Sequence, residues 1–178
     1  MVDVNGDQMK IKMLTLAGLI CLVCLAASAQ DVYVTSSPSG TFSEYHTYAW
    51  GKQPNPNQIV NPIMAQEAQT QINTQLQAKG LRLVQESESP DLLVVGSGGM
   101  KTETSYTAMG MRGFGGGIGT ITPQQNVVGT LIVDIYDLKA KQMVWRGVAQ
   151  GTLNQKNSQK NMQLLDKAVV KMFKKYPS

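Results

Sequence analysis

One histidine, His46, stands in the 178-residue chain, and any Ser–His–acid machinery would have to use it. Ser43 and Glu44 lie just before it. Neighbours on a strand point to opposite faces, and the chain has no Gly-x-Ser-x-Gly elbow to expose a nucleophile. A lone imidazole is also a poor start for a zinc site. A second acidic candidate is Asp134 with Asp137, on either side of Tyr136. Paired carboxylates hydrolyse glycosides, but a cross-strand Asp–Arg pair with Arg146 accounts for the same residues more simply. An exported hydrolase using His46 or Asp134/Asp137 therefore stands as an alternative. Thioether sulfurs suit Cu(I), and Met109-Gly110-Met111 is the local methionine cluster, with Met100 nearby. A copper binder through Met109/Met111 is the second alternative, set against the common role of methionine as a gap-filler.

The glycines suggest no phosphate cradle. Nine of the 17 glycines fall in residues 96–119. Counted from Gly113, the third glycine of a dinucleotide fingerprint would be position 118, which is Ile118. No Gly-Lys-Ser/Thr occurs either. Neither nucleotide binding nor a cofactor is expected, and no metal ligand set is assigned. Gly-rich chain has a high ordering cost, so Met109–Asn126 is predicted to be a mobile loop. Tyr106, just before it, and its Met109, Met111 and Phe114 are the candidate ligand or partner contacts, able to close over an apolar surface.

Both cysteines, Cys21 and Cys24, lie in the uncharged run Met13–Ala29, which follows Lys10 and Lys12 and ends Ala27-Ser28-Ala29. A basic start, an apolar stretch and a small-x-small exit describe a secretory signal peptide. Cleavage is expected after Ala29, giving a signal peptide at 1–29 and one α+β envelope domain at 30–178. The 17-residue run falls short of the ~18 residues that argue for a spanning helix. Asp3 and Asp7 are unusual in such a leader, which makes Met9 a better start than Met1. Cleavage would remove every thiol, and with it any disulfide or thiolate site. Neither cysteine follows the small residues that lipidation needs.

Net charge is +4, from 16 basic and 12 acidic residues. From Lys156 onward there are six lysines and one acid, Asp166, whereas residues 30–155 carry eight basic and nine acidic residues. The excess therefore belongs to the C-terminal segment. Lys160, Lys167, Lys171 and Lys174 fall mainly opposite the apolar stripe of a helix there. A solvated face explains them; contact with anionic lipid or an acidic protein surface of the envelope is the functional reading. No aromatic residues interleave to stack bases, so nucleic acid is not expected.

Residues that could do chemistry need elements to hold them. Asp31–Ser36 alternates as a strand, and a second strand lies near Thr47–Gly51. Asn61-Pro62 supplies an N-cap and a first-turn proline. Met64, Ala68, Ile72 and Leu76 then form one stripe of a helix that stops at Gly80. Leu81–Val84 is a short strand, Gln85–Pro90 a turn, and Asp91–Gly96 a buried strand that extends toward Lys101–Thr107. Val127–Leu138 and Gln142–Leu153 form a hairpin. Ser158–Tyr176 is amphipathic, with Leu165, Ala168, Val169, Met172, Phe173 and Tyr176 on one side. Each helix offers a single stripe, so the prediction is an α+β fold: one antiparallel or mixed β-sheet with two amphipathic helices packed on one face.

Several segments together resemble one bacterial envelope family, domain of unknown function 4136. They are Phe42-Ser43-x-Tyr45-x-Thr47-Tyr48-x-Trp50, Ala78-Lys79-Gly80, Pro90-Asp91-Leu92-Leu93-Val94, Gly129–Asp134, Val144-Trp145-Arg146-Gly147 and Ala168–Pro177. The resemblance implies an exported, often lipid-anchored protein of undetermined activity, and brings no catalytic residues. The expectation is thus an exported protein of the periplasm or outer membrane. It is expected to act as a non-enzymatic binding or scaffolding domain with an unidentified envelope partner.

Overall fold

The computed structural model describes residues 30–52, 61–109 and 120–177. Helix α1, Pro62–Ala78, begins where Asn61 Oδ1 accepts hydrogen bonds from the backbone N–H groups of Ile63 (3.0 Å) and Met64 (3.2 Å). It ends at Gly80, whose φ of +86° is the left-handed stop that favours glycine. Ala68, Ile72 and Leu76 form its buried stripe. Helix α2, Ser158–Phe173, is capped by Asn157 Oδ1, which accepts from Lys160 N at 3.0 Å. It stops three residues short of the predicted Tyr176, because Lys174 and Lys175 continue only as a turn. Ala168, Val169, Met172 and Phe173 are its buried side.

The strands are β1 (Gln30–Ser36), β2 (Thr47–Trp50), β3 (Arg82–Leu83), β4 (Leu92–Met109), β5 (Thr120–Asp137) and β6 (Gln142–Leu153). They form one mixed sheet in the order β1-β6-β5-β4-β2-β3. β2 runs parallel to β3 and β4, and the other pairings are antiparallel. Both helices lie on one face, as their single stripes require. Val94, Val133, Ile135 and Trp145 point from the sheet into the core and are almost wholly buried.

One sequence expectation needs correction. Met109–Asn126 is not a single loop: Met109 closes β4, and Thr120–Asn126 open β5. Residues 110–119, with Met111 and Phe114, lie outside the described residues, as do the proposed leader 1–29 and the proline-broken segment 53–60. The hairpin β4–β5 stays paired in register from Leu92–Asp137 out to Met109–Thr120. β6 leaves β5 at Val127, and β2 leaves β4 at Val94. Residues 103–109 and 120–126 therefore form a two-stranded arm that extends ~23 Å past the rest of the sheet. Residues 101–106, at and just before the arm, and residues 122–125 are exposed.

Among the described residues no helix is long and apolar enough to cross a membrane, which says nothing of strands that cross as a barrel.

Candidate functional site

Side-chain size along the sheet divides the helix-facing side into two ends. At one end Trp145 meets Phe173 at 5.0 Å and Tyr176 at 5.6 Å between ring centroids, and Phe42 meets Tyr176 edge-on at 5.3 Å. Helix and sheet close tightly there: a Cβ on Gly147 would run into Met172 and come within 2.6 Å of Trp145. At the other end the same face carries Gly96 and Gly98 on β4, Gly129 on β5 and Gly151 on β6. The glycines come together because the registers Met100↔Gly129 and Gly129↔Gly151 set them side by side. With so little side chain beneath them, the N-terminal halves of α1 and α2 stand over a cleft of about 960 Å³.

The cleft is mostly apolar. Met64, Ala65, Ala68 and Ile72 of α1 form one wall, and Leu164, Leu165 and Ala168 of α2 the other. The polar residues along it are uncharged: Gln30, Asn61, Gln66, Gln69, Ser97, Thr130, Gln150 and Asn161, of which Ser97, Thr130 and Gln150 occupy strand positions that alternate away from the helices. Among the described residues no Lys, Arg, Asp, Glu or His lines it. Several of the polar groups are held in place. Gln30 Nε2 donates to the carbonyl of Leu164 at 2.7 Å, tying β1 to α2. Asn161 Nδ2 donates to the Asn154 carbonyl at 2.9 Å, and Asn154 N donates back to Asn161 Oδ1 at 2.7 Å. Trp50, also lining the cleft, donates from Nε1 to Asn73 Oδ1 at 2.9 Å; the same oxygen accepts from Tyr48 OH at 2.9 Å. A site of this volume with convergent neutral polar groups suits a small, largely apolar molecule.

The residues singled out from sequence do not converge on this cleft. His46 is exposed; its backbone N–H donates to Asp91 Oδ2 at 2.9 Å. Asp134 is held by Arg146, which donates from Nε at 2.6 Å and from Nη2 at 2.7 Å, the cross-strand pair that the sequence suggests. Asp137 instead accepts from Tyr45 OH at 2.9 Å and from Ala140 N at 2.8 Å. The Ala140 N–H is the main reason that its carboxyl sits below the usual range, against a smaller upward push from burial. The two carboxylates thus have separate partners and do not form an acid–base pair. Tyr106 is 71% exposed on the arm. Met109 ends β4, and Met100 is a half-exposed residue of the cleft. Among the described residues no cluster of three or more His, Cys, Asp or Glu is placed to hold a metal. Lys160, Lys167, Lys171 and Lys174 are all exposed. Lys171 Nζ donates to the Gln30 carbonyl at 2.9 Å, however, and so is partly committed to fastening α2 over β1.

The motif residues explain the fold more than the site. Asp91 Oδ2 accepts from Thr47 N at 2.9 Å and Thr47 Oγ1 at 2.8 Å as well as from His46 N, locking β2 beside β4. Burial alone would raise the Asp91 carboxyl, but these three donors outweigh it and hold it low. Sequence reasoning missed the cleft. Its only available signal was the placement of glycines at alternate positions in three strands that must pair.

By fold the molecule is a two-layer α+β domain, an open mixed sheet with two helices on one face and a neutral cleft between the layers. The chain belongs to the family described as "Domain of unknown function (DUF4136)", which matches residues 32–178. No functionally curated protein matches it. A solved DUF4136 family protein from Bacteroides thetaiotaomicron is similar, at 16% identity and a TM-score of 0.54, over 83% of this chain and 96% of that one. A PDZ domain protein from Parabacteroides distasonis is similar at 18% identity and a TM-score of 0.53 over 91% of this chain. This chain spans only 40% of that protein's length. The PelC dodecamer subunit from Paraburkholderia phytofirmans matches at 15% identity and a TM-score of 0.50, over 80% of this chain and 94% of that one. At these identities the likeness shows a shared fold.

Proposed function

We propose that this chain is an exported, non-enzymatic binding domain of the cell envelope, whose cleft holds a neutral, largely apolar ligand such as an acyl chain. The observation that carries the reading is the glycine-floored cleft of about 960 Å³, walled by aliphatic residues and, among the described residues, lined by no charged side chain. Burying an unpaired charge there would be costly, whereas apolar surface is favoured by ~25 cal/mol per Å² removed from water. Export is supported by the apolar run Met13–Ala29 behind Lys10 and Lys12. The exposed Lys160, Lys167 and Lys174 suit a domain that works beside an anionic envelope surface.

Native mass spectrometry of the protein recovered from envelope extracts tests the proposal. The expected result is a discrete apolar adduct that leaves on organic extraction. Protein without any adduct, which also takes up no neutral lipid added back, contradicts it.

A further inference from the structure

β4 carries a long free edge. Its last partner on the side away from β5 is β2, and that pairing ends at Val94, where Gly51 N donates to the Val94 carbonyl at 2.9 Å. Among the described residues nothing pairs with that edge from Val95 to Met109. Strand geometry fixes which groups are presented. The Val94 carbonyl points to the free side, and the Asp91 carbonyl, which accepts from Leu138 N at 3.1 Å, points to the β5 side. The β4–β5 register has no shift, so the alternation continues: even-numbered residues from Gly96 to Ala108 aim their N–H and C=O groups outward. Exposed edges of this length are templates for pairing with another chain, and proteins usually blunt them with charge or proline. Here the edge residues include no proline. The one lysine, Lys101, is neutralised by Glu103 at 2.6 Å on the same strand.

We propose that this edge pairs antiparallel with the β4 edge of a second copy, about a two-fold axis at Thr102. Three features favour a second copy. First, Thr102 is the midpoint of the free edge, so both copies would use all of it, and each would stop where the other's β2 begins. Second, pairing about Thr102 sets even residues opposite even residues, and each outward N–H meets an outward carbonyl. Third, Lys101 falls opposite Glu103 of the second copy and Glu103 opposite its Lys101, giving two cross-strand ion pairs from residues that now pair only within the strand. The same register places Tyr106 of the second copy opposite Gly98. Paired residues share a face, so this tyrosine would lie on the cleft side and cover a glycine of the cleft floor. Both helix layers fall on one face, and the two clefts open over a joined floor. The proposal does not depend on what the cleft binds.

Sedimentation velocity across a concentration series, on the protein as recovered from cells, tests it, with amide hydrogen exchange as a second readout. The wild type should dimerise. Thr104→Pro removes one outward N–H without touching a bond to β5, and should weaken the dimer about tenfold or more. Lys101→Glu should also weaken it, and adding Glu103→Lys should restore it. In exchange, the odd amides of β4 are protected by β5 in any state. The even amides from Gly98 to Tyr106 should be protected only in the dimer. A wild type that stays monomeric at all concentrations, with fast even amides, overturns the proposal. So does a dimer that Thr104→Pro and the charge variants leave unchanged, which would place the interface elsewhere.

Discussion

The two ends of the helix-facing side share the same strands and helices, yet one is filled and the other hollow. At the filled end Trp145, Phe173 and Tyr176 pack ring to ring, and helix α2 approaches the sheet so closely that Gly147 has no room for a Cβ. At the hollow end a Cβ on Gly96 would meet nothing nearer than Trp50 at 3.4 Å, whereas one on Gly151 would come within 3.0 Å of Leu164 on α2. Glycine therefore does opposite things in one molecule. At Gly147, and at Gly151 beneath Leu164, it permits close approach of α2; at Gly96 it withholds side chain and leaves space. Stability is concentrated where aromatic area is buried, and the cleft is left as a space that a ligand can fill.

The largest test of this contrast is at the filled end. Phe173→Ala should cost about 3–5 kcal/mol in urea unfolding, because a fully enclosed ring leaves a cavity. Gly147→Val should cost about 2–3 kcal/mol by overpacking against Met172 and Trp145. Asp91→Ala comes next, at about 2 kcal/mol, since it strips the partner from the N–H groups of His46 and Thr47 and from the Thr47 hydroxyl. Its pH dependence has a definite sign. The Asp91 carboxyl is held low in the folded chain, so its contribution is present above the ordinary carboxylate range near pH 4 and lost as pH falls through the depressed value. The wild type and Asp91→Ala should thus converge in stability under acid. Asp166 on α2 behaves oppositely. Burial raises its carboxyl and the nearby Glu67 adds to this, so its contribution is present below the ordinary value and lost as pH rises through the raised one. Asp166→Asn should therefore raise the Tm at pH 7 by a few degrees and have little effect below pH 4. A gain that persists in acid would mean that the titration of Asp166 is not its cause.

Much of the framework around both ends could be read in the sequence. The Ile72 and Leu76 stripe, the cap at Asn61-Pro62, the stop at Gly80 and the hairpin face of Leu131, Val133 and Ile135 all follow from periodicity and local chemistry, and each appears in the fold. Thr120–Asn126 did not announce itself as strand, because its exposed residues show no alternation of buried and exposed side chains. Pairing with β4 holds it, and that pairing is a long-range fact. The cleft was hidden for the same reason. Gly96, Gly98, Gly129 and Gly151 are distant in the chain and only the strand register makes them neighbours. Candidate chemistry at His46 and Asp137 was visible as residue types, but their partners decide what each does: Asp91 fixes the backbone of His46, and Tyr45 with Ala140 occupies Asp137.

Filling the hollow end without disturbing the other tests the account most directly. Wild type and Gly96→Leu would be titrated with the neutral apolar fluorophore N-phenyl-1-naphthylamine, with urea unfolding of both. The account predicts saturable, blue-shifted binding by the wild type. Gly96→Leu should bind about tenfold more weakly, with stability within about 1 kcal/mol of the wild type. Equal binding by the two proteins, or none by either, would contradict it.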